Sequence, residues 1–474
     1  MATVAVGTFV SVLDQTGVSL ALPELAIHFG ATIPAVQWVA LGFILVTGSL
    51  LMPMGRLSDL IGRKRVYAIG FIIFILGALL SGFSPSLSGV IASRIFQGVG
   101  AAMIQATGMA IAISNFPSSE RGKVVGMFMT MVGIGAVGGP VVSGVIVDLL
   151  GWRSVFLMGV PLGSISLIAA VLVLNHDRPV ASNDTSTSKG FDWLGAFLSS
   201  ASLVVFLLVM TNAYQLGWTS PIVLSAFVAA FTLFATFLYW ETRTSAPMLE
   251  LDLFKNRLFS LGSASSFFIF LAGTAVFSLM PFYLQGVAGL SPGQTGLLIA
   301  PTMVMFAIMG PISGRLSDRH GPKRFEYLGL AMLSAGMLIL GTISESSRLY
   351  VILVGLIFQG AGMGTFNPPN QSSILGTVDL SKIGVATAFT NMVRNTANVT
   401  GIGLAITIVT MRMGALGFEP SLDAVTAGGE GVGAAFSQGL RIAFLTLGAF
   451  IAFAIVSTWL KRTGKSESRE IAKT

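Results

Sequence analysis

Apolar residues run in long blocks along this chain, separated by short polar clusters. Blocks long enough to cross a bilayer, about 17 to 25 residues, fall at 2–23, 36–54, 67–83, 88–112, 124–147 and 154–174. Two more lie at 193–211 and 221–240, and six follow at 259–284, 293–312, 327–343, 349–375, 384–411 and 438–460. The pattern predicts fourteen helical spans grouped six, two and six. The first block has no basic stretch before it and no small-residue cleavage site, so it is expected to be a retained span.

The polar clusters repeat. Gly55-Arg-Leu-Ser-Asp-Leu-Ile-Gly-Arg-Lys-Arg65 returns 259 residues later as Gly314-Arg-Leu-Ser-Asp-Arg-His-Gly-Pro-Lys-Arg324, with eight of eleven positions identical. Ile95-Phe-Gln-Gly98 returns 262 residues later as Ile357-Phe-Gln-Gly360. Two echoes at nearly one offset mean two related halves, each with a basic loop between spans. Many secondary transporters build a pathway between such halves. The expected organisation is an N-terminal six-helix bundle over 1–174, a linker with two additional spans over 175–257, a C-terminal bundle over 258–460 and a tail over 461–474.

Composition agrees with a membrane setting. Hydrophobic residues make up 53% of the chain and charged residues 10%, against about 25% charged in soluble domains. The 56 glycines suit helices that pack backbone to backbone, and the absence of cysteine excludes disulfides and thiol chemistry. Alternating the loops places all basic residues but six (Arg94, Arg153, Arg348, Arg394, Arg412 and Arg441) on one side of the membrane or in the segments flanking it. The positive-inside rule makes that side cytoplasmic, with both termini there. The net charge of +7 then reports orientation, not a nucleic-acid partner. A polar stretch about Asn175–Phe191 is expected to be a flexible linker, and a Gly-rich stretch near 414–436 a mobile outer loop.

Few residues carry chemistry inside the spans. Asp14 and Arg94 sit deep in spans 1 and 4, where a charge costs about 2.5–3.5 kcal/mol on insertion scales unless it pairs or meets water. Asp14 is the acidic residue expected well within a span. Burial raises a carboxylate's pKa and a nearby cation lowers it, so the pair fits either a proton-coupling site or a static bridge between helices. Arg394 on span 13 is a third such charge, placed where it could snorkel or face a pathway. Asn367-Pro-Pro-Asn-Gln371 is expected to break span 12 beside a cavity. Trp38, Gln105, Phe282, Tyr283, Asn367, Asn370, Asn391 and Arg394 are the candidate cavity residues, with packing as the alternative for each. His28, His176 and His320 share no ligand spacing, so no metal site is expected. No Walker loop, Gly-x-Ser-x-Gly elbow or His-Glu-x-x-His is present.

These residues resemble the major facilitator superfamily, and within it the fourteen-helix drug:proton antiporter branch. Gly55–Arg65 is similar to the superfamily's loop 2–3 signature, and Arg94-Ile-Phe-Gln-Gly-Val-Gly100 to its helix 4 motif. Gly135-Ala-Val-Gly-Gly-Pro140 with Ser143-Gly144 resembles the antiporter motif of helix 5. Leu13-Asp-Gln-Thr16, Ala21-Leu-Pro23, Trp152-Arg153 and Val160-Pro161 resemble the fourteen-helix branch. The resemblance implies an all-α membrane fold and proton-driven export of small amphiphilic or drug-like compounds, with no cofactor beyond the proton gradient. It also implies a monomer in the inner membrane that is not an enzyme and whose partners are substrate, protons and lipid. It assigns proton coupling to Asp14 and Arg94, and conformational gating to Gly55, Asp59, Gly62, Arg63 and Asp318. Helix 5 packing falls to Gly135, Gly139, Pro140 and Gly144.

The chain departs from the family pattern at three places. Pro322 stands where the first loop copy has Arg63, so the first copy is expected to carry the full charge network. Ser143 replaces a usual glycine. Gln15 and Gly17 occupy helix 1 positions more often filled otherwise, which is expected to bear on substrate. Import of a metabolite on the same fold, and a non-transporting receptor, are the alternative functions.

Overall fold

The computed structural model describes residues 2–18, 21–31, 33–114, 116, 120–174, 190–245, 247–290, 292–379, 382–419, 422, 425 and 429–461. Among them there is no strand. The helices of the first half are α1 (Ala2–Gly17), α2 (Leu22–Phe29), α3 (Ile33–Ile61), α4 (Arg63–Gly82), α5 (Leu87–Ser114), α6 (Arg121–Leu150), α7 (Trp152–Leu157) and α8 (Gly159–Val173). An extra hairpin follows, α9 (Trp193–Leu216) and α10 (Pro221–Glu241). The second half holds α11 (Arg257–Phe282), α12 (Pro292–His320), α13 (Pro322–Leu340), α14 (Leu349–Leu375), α15 (Ile383–Ala415) and α16 (Val432–Leu460). The fourteen expected spans all correspond to helices. The first is shorter than its apolar block, because α1 ends at Gly17 and a separate short helix starts where Pro23 occupies a first-turn position that needs no N–H donor. The stretch 175–189 of the expected linker, residues 462–474 of the tail and parts of the Gly-rich loop lie outside the described residues.

Three prolines inside the spans free carbonyls that hydroxyls of neighbouring helices satisfy. A proline cannot donate to the carbonyl four residues earlier, and hydrocarbon offers no substitute. Pro53 frees the Ser49 carbonyl, which accepts from the Ser200 hydroxyl of α9 at 3.0 Å. Pro311 frees Ala307, which accepts from Thr130 of α6 at 3.0 Å. Pro368 frees Gly364, which accepts from Ser313 of α12 at 3.0 Å. The expected break at Asn367–Gln371 is therefore corrected: α14 runs unbroken through both prolines.

The extra hairpin is tied to the bundle. Besides the Ser200 bond to α3, Trp218 Nε1 donates to Thr407 Oγ1 of α15 at 2.8 Å. Its own base is closed by Asp192, which caps α9 through Gly195 N–H and accepts from Trp240 of α10.

The two halves meet along two seams, α3 with α15 and α6 with α12, and small residues set their closeness. A Cβ on Gly314 would lie 2.2 Å from the Gly122 carbonyl, and one on Gly126 would lie 2.6 Å from the Gly310 carbonyl. A Cβ on Gly55 would lie 2.4 Å from the Ala388 Cβ. Such approaches need glycine and let backbones touch without a hydrophobic driving force.

Candidate functional site

Asp14 and Arg94 come together across α1 and α5. Arg94 Nη1 donates to Asp14 Oδ2 at 2.7 Å and to Gln97 Oε1 at 2.7 Å, and Gln97 Nε2 donates to Asp14 Oδ1 at 3.3 Å. The guanidinium also lies over Phe43, 4.1 Å from the ring centroid, with Phe156 at 5.7 Å. Arg94 and Gln97 are 0% exposed and Asp14 is 1% exposed. Two charges in so dry a place are stable only while paired, since stranding one costs about 3–5 kcal/mol. Gln97, which the Ile-Phe-Gln-Gly echo marked but no role was given, completes the triad.

The loop copies act at the seams. Asp59 pairs with Arg63 at 3.2 Å and accepts from Val385 N–H at 3.0 Å, at the N-terminus of α15 in the opposite half. Asp318 accepts from Gly122 N–H and Lys123 N–H, each at 3.0 Å, at the N-terminus of α6 in the first half. Each carboxylate thus caps a helix of the other half, where orphan N–H groups and the helix dipole favour negative charge. The glycine at the capped end is required in both cases: a Cβ on Gly384 would lie 2.3 Å from Asp59 Oδ1, and one on Gly122 would lie 2.4 Å from Asp318 Oδ1. Asp318 has no counterpart of the Asp59–Arg63 pair, and the partners that hold it are backbone donors across the seam. Gly62 turns the chain between α3 and α4 at φ 99°, and Gly321 does the same at 87°, a region other residues avoid. The Lys64 ammonium bonds the last carbonyls of α8, and Lys323 that of Lys461 after α16, so this contact also repeats.

The glycine-rich stretch of α6 packs on α1. A Cβ on Gly135 would lie 3.0 Å from the Phe9 carbonyl, and one on Gly139 would lie 2.0 Å from Thr16 Oγ1. Gly144 is half-buried beyond this contact, and the Pro140 side chain lies outside the described residues. A Cβ on Gly17 would lie 2.0 Å from Ser143 Oγ. The two departures from the family pattern therefore explain each other: Gly17 makes the room that Ser143 fills, and its expected bearing on substrate is replaced by packing.

A cavity of about 350 Å³ lies between the halves, walled by α1, α5 and α6 on one side and α11, α12, α14 and α15 on the other. Of the candidates, Gln105, Asn367 and Arg394 line it. Asn391 is just behind, donating to the Gln105 carbonyl at 3.1 Å. Four candidates are corrected. Trp38 is 38% exposed on the outer side of α3. Phe282 packs on the second-half core, and Tyr283 is buried there with its hydroxyl donating to Ser344 O at 2.7 Å. Asn370 is buried among Gly262, Ser266 and Lys461. Gln15, expected to bear on substrate, lines the wall as well, whereas sequence reasoning missed Thr16, Thr274, Asn395 and Asn398 there. The run Arg394-Asn395-x-x-Asn398 was the available signal, since positions three to four apart share a helix face.

Arg394 does not snorkel. It lies eleven residues into α15, roughly 16 Å at ~1.5 Å per residue, with Phe270 5.8 Å from its guanidinium. A further cavity of about 410 Å³ lies between the extra hairpin, α3 and α15. The hydroxyls of its two serines donate back to their own helix, and the rest of the wall is apolar.

One buried pair was not anticipated. Lys461, expected as the start of the tail, is 3% exposed and pairs with Glu326 at 2.8 Å while donating to Asn370 Oδ1 at 2.6 Å. Glu326 is 1% exposed, so Asp14 is not alone as a buried acid. Burial pushes the Lys461 ammonium below its ordinary value, against the pull of Glu326.

A family model described as Major Facilitator Superfamily matches residues 4–402 and again 263–473. The riboflavin transporter RibZ of Clostridioides difficile is 33% identical over 83% of this chain and 84% of its own length. The multidrug resistance protein Stp of Mycobacterium tuberculosis is 29% identical over 88% of this chain and 76% of its own. The multidrug transporter protein MdtP of Bacillus subtilis is 27% identical over 89% and 77%. The crystal structure of the human organic anion transporter MFSD10 (TETRAN) superposes with a TM-score of 0.64 at 14% identity, covering 95% of this chain and 98% of that one. That likeness concerns the fold.

Proposed function

The chain belongs to the major facilitator superfamily, and we propose that within it this multi-pass membrane transporter exports small amphiphilic compounds in exchange for protons. The carrying observation is the buried triad of Asp14, Arg94 and Gln97 on α1 and α5, two helices that also wall the central cavity. Asp14 takes a proton when its ion pair is loosened, and Arg94 holds the carboxylate again when the proton leaves. Because α1 also presents Gln15 and Thr16 to the cavity, a substrate that shifts α1 alters the pairing behind it. The caps by Asp59 and Asp318 hold one end of both seams closed, and breaking them opens that end for alternating access. The membrane is the cytoplasmic one with both termini inside, the energy source is the proton gradient with no cofactor, and the working unit is a monomer.

The test is pH-gradient-driven accumulation of a fluorescent amphiphile in inverted vesicles. Wild type should accumulate it and dissipate the gradient, and Asp14→Asn should do neither at a matched amount of inserted protein. Undiminished accumulation by the variant would sink the coupling assignment. The relative named for riboflavin transport supports a second reading, uptake of a metabolite on the same fold. Gradient-driven uptake in right-side-out vesicles, without export in inverted ones, would favour it.

A further inference from the structure

The charges available to a ligand in the central cavity are unbalanced. Among the described lining residues Arg394 is the charged one, and no carboxylate lines the wall. Nor does Arg394 have an acidic partner among the described residues: its contacts are the Phe270 ring and Met129 Sδ, the latter at 4.0 Å from Nη1. Asp14 cannot neutralise it, because its two oxygens are already held by Arg94 and Gln97 and it is sealed from solvent. The other polar groups, such as Gln15, Gln105, Asn395 and Asn398, are neutral. A guanidinium at this depth is costly unless it pairs or meets water, so a ligand that excludes water from it has to supply the negative charge. Beside it, Phe270, Phe277 and Phe306 offer flat apolar faces.

We infer that the central cavity selects anionic amphiphiles, an oxyanion pairing with Arg394 and an apolar, planar body lying against the three phenylalanines. The inference rests on the reading of the chain as a transporter whose substrate occupies this cavity. Arginine suits the role because its planar fork meets carboxylate, sulfonate or phosphate oxygens two at a time and never loses its charge. The amides along the wall donate to further acceptors on the ligand. A lipophilic cation would enter the same space against Arg394 with no carboxylate to receive it.

The experiment is equilibrium binding to the purified full-length protein in discs of uncharged lipid. The probes are a matched naphthalene series: a sulfonate, the corresponding neutral sulfonamide and a trimethylammonium analogue. The sulfonate should bind saturably and at least roughly tenfold more tightly than the cation, a difference of ~1.4 kcal/mol. Arg394→Gln should erase the preference and Arg394→Lys should keep part of it. Equal or tighter binding of the cation by wild type, a preference unchanged in Arg394→Gln, or no saturable binding by any member would overturn the inference. Binding needs no proton gradient, so failure of proton-driven export would leave this result standing. Export of a lipophilic cation without anion binding would overturn the inference and leave the transport reading intact.

Discussion

The two halves of this protein repeat each other at the seams between them and part company in the core. At the seams, Asp59 caps α15 and Asp318 caps α6, each beside a glycine that only its missing Cβ makes possible. In the core, the first half joins Asp14, Arg94 and Gln97. Its counterpart keeps only the glutamine. Leu356 stands 262 residues after Arg94, and Gly273 stands 259 residues after Asp14. Gln359 Nε2 donates to the Gly273 carbonyl at 2.9 Å, as Gln97 donates to the Asp14 carboxylate. The scaffold contact has been kept and the titratable one is confined to one half. On the proposed exchange of protons for substrate, opening and closing engage both halves alike and coupling falls to one carboxylate.

The largest expected effect comes from breaking the charged core. Arg94→Ala leaves Asp14 buried without its cation, at a cost of about 3–5 kcal/mol, and should lower both folded yield and transport. Arg94→Lys should restore yield better than turnover, since an ammonium cannot reproduce the fork that meets Asp14 and Gln97 together. Thermal unfolding of the purified variants beside initial transport rates checks both.

Next come the matched glutamines. Gln97→Ala should shift the pH profile of transport, because Gln97 holds both members of the pair. Gln359→Ala should cost about 0.5–1.5 kcal/mol, the worth of one hydrogen bond, and leave the pH profile in place. Equal pH shifts in the two variants would contradict the asymmetry of the core.

At the seams the expectation is near equality, with a telling difference. Asparagine caps helices almost as well as aspartate, whereas alanine loses about 0.5–2 kcal/mol. Asp318→Asn should therefore change little, and Asp318→Ala should shift the protein toward opening at that end. Asp59→Asn should already shift it, because the charge facing Arg63 is lost. Accessibility of single introduced cysteines reads the shift directly, as the native chain has no cysteine.

Smaller still is the swap between α1 and α6. Gly17→Ala should impair packing against Ser143, and adding Ser143→Gly should relieve it, restoring thermal stability if the two positions trade space. The smallest effect concerns pH. The Lys461 ammonium is held below its ordinary value by burial, so the folded state binds that proton less tightly than the unfolded one. Stability should rise as pH climbs through the folded value toward ~10.4, where the unfolded lysine titrates. The paired variant Glu326→Gln with Lys461→Met should flatten that rise in alkaline thermal scans.

Much of this was legible in the sequence for physical reasons. Every span announced itself because hydrocarbon tolerates little else, and Asp14 and Arg94 had to pair because isolated charges at that depth are unstable. The repeat was visible because both caps across the seams need the same glycines and carboxylates. Other features depend on packing that no local pattern encodes. The backbone partners of Asp318 belong to a helix nearly two hundred residues away. Lys461 looked like the start of a polar tail until the fold buried it against Glu326. Trp38, Phe282 and Tyr283 looked like cavity aromatics, but helix rotation leaves Trp38 on the exposed surface and turns the other two to the core. The hydroxyls that rescue the freed carbonyls of Pro53, Pro311 and Pro368 were equally invisible, so the unbroken course of α14 could not be foreseen.

The central claim is that one carboxylate, Asp14, carries the proton while the second half supplies none. Its most direct test is proton movement in proteoliposomes holding a pH indicator, recorded when a transported amphiphile is added to wild type, Asp14→Asn and Gln359→Ala. Wild type and Gln359→Ala should move protons with substrate in the same ratio, and Asp14→Asn should move none while still binding substrate. Substrate-dependent proton movement that persists in Asp14→Asn would contradict the account.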